Sequence, residues 1–161
     1  MAGRAWRALY LVPAATLILL AGVHFYPRII TSLSRPATPQ EMQAIAVAAL
    51  GQIHPPEPYD PRDQPFTKMF VTIDGRNPSP ALLAQMSTAA ILAQAGSGFV
   101  PDDPNKGFLA VVKPFTISPF GTATGTINLI CGNLCGTGYA FVLRLKDGRW
   151  SVVSQELRWM A

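Results

Sequence analysis

The chain has 161 residues, 15 of them proline, with a formal charge of +4 and a pI near 9.4, which leaves room for one ordinary domain behind a targeting segment and excludes a second. Four of its thirteen basic residues, Arg4, Arg7, Arg28 and Arg35, precede the first acid, and from Ala37 onward nine basic residues meet nine acids. The folded part is therefore neutral, which excludes a nucleic-acid partner, since phosphate backbones call for a basic patch.

Ala8 to Pro27 is a run of twenty positions without a charged side chain, long enough to span a bilayer core as a helix. Ala8 opens it, and nine Leu, Ile, Val and Phe residues follow, Leu11, Leu17, Leu20 and Phe25 among them. Each contributes roughly 0.3–0.6 kcal/mol to insertion near the bilayer centre, against which Pro13, Thr16, Gly22 and His24 weigh. The reading is a transmembrane anchor or signal segment over residues 1–28. Arg4 and Arg7 also fit the n-region of a cleaved signal peptide, but Gly22 to Arg28 holds no small-x-small cleavage site and no cysteine for a lipid. Both readings place the domain outside the cytoplasm, in the periplasm or at the cell surface, either anchored or secreted after cleavage. The membrane is accordingly the expected partner of the N-terminal helix; a protein or small-molecule partner of the domain is not specified.

Residues 29–37 read as a Ser/Thr/Pro-containing tether, and residues 38–161 as a single domain. Thr38-Pro39-Gln40-Glu41 is a capping box with proline at the first helical position. Met42, Ile45, Ala46, Ala49 and Ile53 then recur at helical spacing, predicting an amphipathic helix of about fifteen residues. Pro55 to Pro65 holds five prolines in eleven residues and reads as a stiff extended connector. Phe70 to Ile73 is a short strand. Ser79 is the N-cap expected for a short helix carrying Leu82, Leu83 and Met86.

The last fifty-odd residues are rich in β-branched and aromatic side chains with regularly spaced turns, predicting an antiparallel sheet. Phe108 to Ile117 is one strand that Pro114 interrupts or confines to an edge. Thr122 to Ile130 is the next, with Ala123, Gly125, Ile127 and Leu129 on one face. Tyr139 to Lys146 and Trp150 to Trp159 are joined by Asp147-Gly148, the two-residue signal of a type I′ hairpin. That turn sets Lys146 opposite Arg149, Leu145 opposite Trp150, Leu143 opposite Val152 and Phe141 opposite Ser154. The resulting apolar face is the surface that the capped helix covers.

No catalytic residue is assignable, and no cofactor or metal is expected. Cys131 and Cys135, the only cysteines, sit four apart in a glycine-rich link between strands. In an oxidising compartment they predict a structural disulfide; free thiols, redox chemistry and metal binding are the other readings. Two sulfurs would need further metal ligands, and only His24 and His54 exist. His54 with Glu57, Asp60 and Asp63 reads as a solvated loop, Asp103 to Gly107 as a surface turn without calcium spacing, and Gly96-Ser97-Gly98 as no nucleophile elbow.

Asp74-Gly75-Arg76-Asn77-Pro78-Ser79-Pro80-Ala81-Leu82-Leu83, the Cys131-Gly132-Asn133-Leu134-Cys135-Gly136 loop leading to Tyr139, and Asp147-Gly148-Arg149-Trp150 with terminal Trp159 together resemble a group of small bacterial exported or membrane-anchored proteins of unknown function. The likeness covers roughly Phe70 to Met160. It departs at Arg76-Asn77, and at Met160-Ala161 where the group usually ends Ile-Ser. It implies location and an α+β domain, and no activity. The expected architecture is α+β: a helix packed on a curved antiparallel sheet, cystatin-like or nuclear-transport-factor-like by analogy. The expected function is a non-enzymatic protein- or ligand-binding envelope domain. The alternatives are a small-ligand or enzymatic cone using the concave sheet face, and thiol–disulfide chemistry at the Cys131/Cys135 loop.

Overall fold

The computed structural model describes residues 33–54, 66–101, 107–132 and 135–161. Its compact unit runs from Arg35 to Ala161 and is mixed α+β. No helix among the described residues is long and apolar enough to cross a membrane; the expected span, including Ala8, Leu11, Leu17, Leu20 and Phe25, lies outside them.

Strand β1 (Arg35–Pro36) leads into helix α1 (Pro39–Leu50). The Thr38 hydroxyl accepts from the Glu41 amide at 3.3 Å, and the Glu41 carboxylate accepts from the Thr38 amide at 2.8 Å. Both halves of the capping box are therefore made, satisfying donors that a helix start leaves unpaired. The same carboxylate takes two hydrogen bonds from Arg35, at 2.6 and 2.7 Å, so Arg35 belongs to the folded unit and not to a free flank of the apolar segment. The helix stops at Gly51, where the sequence places its end between Gly51 and His54, and Ile53 packs at the core margin.

One eight-stranded sheet carries the rest. Strands β2 (Lys68–Ile73), β3 (Leu92–Ala95), β4 (Gly107–Val112), β6 (Thr122–Gly132), β7 (Cys135–Lys146) and β8 (Arg149–Met160) lie in the order β3-β2-β4-β6-β7-β8. Strand β5 (Thr116–Ile117) follows β4 along β6 and pairs β1 on its far side. Pro114 does interrupt the predicted 108–117 strand, yet β4 is interior, between β2 and β6. The sheet is antiparallel from β4 to β8, but β2 runs parallel to both β3 and β4. The β2–β3 crossover is helix α2 (Pro80–Met86), capped by Ser79, whose hydroxyl accepts from the Leu82 amide at 3.3 Å. A parallel pair needs such a crossover, which a hairpin cannot supply.

Ile45, Ala46 and Ala49 of α1 share one hydrophobic core with Val71, Ala110, Ile127, Leu129, Phe141 and Leu143, all at most 1 % exposed. Burying each larger aliphatic or Phe side chain stabilises the fold by roughly 1.5–3 kcal/mol. Phe115, at 1 % exposure, lies over Gly125; a Cβ there would come within 2.5–2.7 Å of its ring. That contact explains the gap in the apolar face of β6.

The β7–β8 hairpin turns at Asp147 (φ 52°) and Gly148 (φ 75°), the positive pair a type I′ turn requires. Lys146–Arg149, Leu145–Trp150 and Leu143–Val152 pair as expected. Phe141 instead faces Gln155, and Ser154 faces Val142, because the register shifts at Val153. A bulged residue moves every later partner by one.

Candidate functional site

A cleft of about 790 Å³ opens between α1, α2 and the β7–β8 turn. Helical periodicity builds its first wall: Gln40, Gln43, Ala44, Val47 and Ala48 form a stripe of α1 beside the core stripe of Met42, Ile45, Ala46 and Ala49. The second wall is Ser79, Ala81, Leu82 and Gln85, from the cap and outer face of α2. Gly148, Arg149 and Trp150 close one end.

The chemistry of the cleft divides into a floor and a rim. Val47, Ala48, Leu82 and Trp150 are buried or half-buried, whereas Gln40, Gln43, Gln85 and Arg149 are exposed. No Asp or Glu is present among its described lining residues, and Arg149 is the one charged side chain among them. Glu41, the one acid of α1, is engaged elsewhere: the Arg35 guanidinium first, and then the Thr38 amide, hold its carboxyl down at about 2. The same contact raises the Arg35 pKa further. A cation beside apolar surface and amide groups is an arrangement that can hold an apolar ligand bearing a negative charge.

The cysteines meet as predicted. Cys131 and Cys135 form a disulfide with Cα atoms 5.2 Å apart, across the end of the β6–β7 hairpin where Gly132 pairs Cys135. Both are half-buried and lie on strands, away from a helix N-terminus of the sort that lowers thiol pKa. No cluster of three metal-ligating side chains occurs among the described residues. Gly96–Gly98 is a 3-10 turn in which Ser97 is clasped by Asn77: the side-chain amide donates to the Ser97 hydroxyl at 3.0 Å, and the Ser97 amide donates back at 3.1 Å. Glu57, Asp60, Asp63 and Asp103 lie outside the described residues, so the His54 cluster and most of the Asp103–Gly107 turn do too.

Comparison adds no relative. No protein-family model, curated protein or solved structure matches the chain. The cleft itself was not visible in the sequence, because its walls come from segments over a hundred residues apart and from ordinary residue types. The nearest signal was the polar–apolar mixture on the side of α1 next to its core stripe. The face of the sheet beneath α1 is filled by core side chains, Ile45, Ile127, Leu129 and Phe141 among them.

Proposed function

We propose that the chain is a non-enzymatic envelope protein, membrane-anchored or exported through its N-terminal apolar segment, whose domain binds a partner in the cleft between α1, α2 and the terminal hairpin. The resemblance to small exported bacterial proteins and the disulfide, which suits an oxidising compartment, support the location. The layout of α1 across a sheet supports the cystatin-like or nuclear-transport-factor-like analogy, from which the parallel β2 departs. The observation that carries the binding reading is Arg149, standing over an apolar floor without an acid among the described lining residues. Such a site takes an apolar body bearing a carboxylate or comparable anion, with the glutamine amides fixing its orientation.

A photo-crosslinking amino acid at Gln43 in the full chain, expressed in its own cells, tests this. A defined adduct that is lost on Arg149→Glu and retained on Arg149→Lys supports the reading. An adduct indifferent to Arg149, or none above background, overturns it.

A further inference from the structure

Two turns and the entry of the chain share one end of the sheet. Strand β1 sets Arg35 opposite Ile117 and Pro36 opposite Thr116, so the chain enters β1 from the side on which β5 turns into β6. Strand β7 reaches the same side, with Arg144 opposite Thr122 and the Lys146–Arg149 turn beyond it. Three strand spacings, roughly 14 Å, separate β1 from β7 there.

This end presents apolar groups to water. Phe120 is 67 % exposed and Leu145 45 %, and the turn that carries Phe120 is held in place by backbone hydrogen bonds. The Ser118 amide donates to the Thr122 carbonyl at 2.8 Å, the Gly121 amide to the Ser118 carbonyl at 3.1 Å, and the Leu145 amide to the Gly121 carbonyl at 2.8 Å. A turn fixed beforehand loses little freedom when it makes a contact. Beside it Arg144, Lys146 and Arg149 are exposed, and Asp147 is the one acid between positions 144 and 149.

Exposed apolar side chains occur singly on any surface; the chain entry gives these a partner. Six residues, Ile29 to Ser34, separate Arg28, just past the uncharged run, from Arg35. The chain from Arg28 to Arg35 spans at most about 25 Å when fully extended. With the apolar segment retained in a bilayer, Arg35 is held within that distance of its surface. An aromatic ring beside cations matches the boundary between acyl chains and anionic headgroups. We propose that this end of the domain docks on the anionic surface of the membrane that holds the anchor, through Phe120, Leu145, Arg144 and Lys146. The proposal rests on the reading of the apolar segment as a retained anchor and is independent of the reading of the cleft. A bilayer is preferred to a second copy of the chain, which would bring a second set of the same cations to the contact.

The full chain carrying Phe120→Cys, labelled with a nitroxide and reconstituted into vesicles of phosphatidylethanolamine and phosphatidylglycerol, tests this. Cys131 and Cys135 are bonded to each other, so the label goes to position 120. Its collisions with a water-soluble nickel chelate are expected to fall and those with oxygen to rise, relative to the same label on Met160→Cys. Met160 is 74 % exposed and stands at the far end of β8. Exchanging phosphatidylglycerol for phosphatidylcholine, or combining Arg144→Glu with Lys146→Glu, is expected to return position 120 to the accessibility of position 160. A chain that stays in the vesicles through an alkaline wash, yet is equally accessible at both positions, overturns the docking and leaves the anchor standing. Release by the wash overturns both. Protection indifferent to phosphatidylglycerol and to the charge reversals, or dipolar broadening between labels that marks a second copy, overturns the proposed partner.

Discussion

The indole of Trp159 lies on the backbone of Gly138, its register partner across the β7–β8 pair, and extends over Gly136. A Cβ built on Gly138 would stand 2.5 and 2.6 Å from Trp159 Cε2 and Cδ1, and one on Gly136 would stand 3.1 Å from Cη2. The two glycines therefore act as a seat for the ring on the sheet face opposite α1. Gly138→Ala is expected to lower stability by about 1–3 kcal/mol through overpacking. In a Trp159→Ala background the same change should be neutral or mildly stabilising, since alanine is less costly to order than glycine. Urea denaturation of the four variants measures the coupling; equal effects in both backgrounds would remove the indole as the cause.

The Glu41 carboxyl is lowered from 4.5 to about 2, first by the Arg35 guanidinium and then by the Thr38 amide. A carboxyl whose pKa falls on folding contributes stability that is full above its unfolded value and lost as pH falls through its folded one. The window is therefore about 4.5 down to about 2. The melting-temperature difference between the natural chain and Glu41→Gln should be constant above about pH 5 and shrink toward zero by pH 2. The contact is exposed, so the difference is modest and should fall further with added salt. A difference independent of pH would mean that the charge on Glu41 contributes nothing.

The elements that chemistry marks locally were legible in the sequence. Thr38 to Glu41 specified the helix start, Asp147-Gly148 specified the turn and the first three pairs beyond it, and the alternation Ala123, Ile127, Leu129 specified the buried face of β6. The shift at Val153 was not legible, because a bulge inserts one residue without altering composition, and it moved Phe141 from Ser154 to Gln155. The parallel direction of β2 was hidden for a different reason. It depends on where α2 carries the chain, and neither strand encodes that in its own pattern. Asp74 (φ 50°) and Gly75 (φ 72°) form a second turn of the Asp147-Gly148 kind, bridging Ile73 to Arg76. The cleft drew nothing from motifs, since Gln43, Leu82 and Arg149 meet only through the packing of α1 and α2 beside the hairpin.

Thr137 is half-buried on β7, opposite Leu129 and Met160, and its hydroxyl oxygen is buried without a hydrogen-bond partner among the described residues. A hydroxyl removed from water with no replacement costs about 1–3 kcal/mol. Valine has nearly the same shape and no such cost. Thr137→Val is expected to raise unfolding stability by about 1 kcal/mol, read as a shift in the urea midpoint at unchanged slope. A loss of stability would show that the hydroxyl has a partner in solution, such as a water bridging to the neighbouring strand.

The disulfide offers the most direct measurement of where the domain resides. Closing a five-residue loop between Cys131 and Cys135 restricts the unfolded chain by about 2 kcal/mol, so the double replacement Cys131→Ser with Cys135→Ser should lower stability by about that amount while keeping the fold. Both cysteines are half-buried, within reach of a reagent once reduced. In intact cells, a membrane-impermeant maleimide is expected to label the natural chain only after reduction, and at the mass of the uncleaved chain, if the apolar segment holds the domain outside the cytoplasm. Labelling at a mass lower by the first 28 or so residues would identify a cleaved signal and a secreted domain. Labelling only after lysis, and without reduction, would place the domain in the cytoplasm with free thiols and overturn the proposed location, since a reducing compartment would not maintain the Cys131–Cys135 bond.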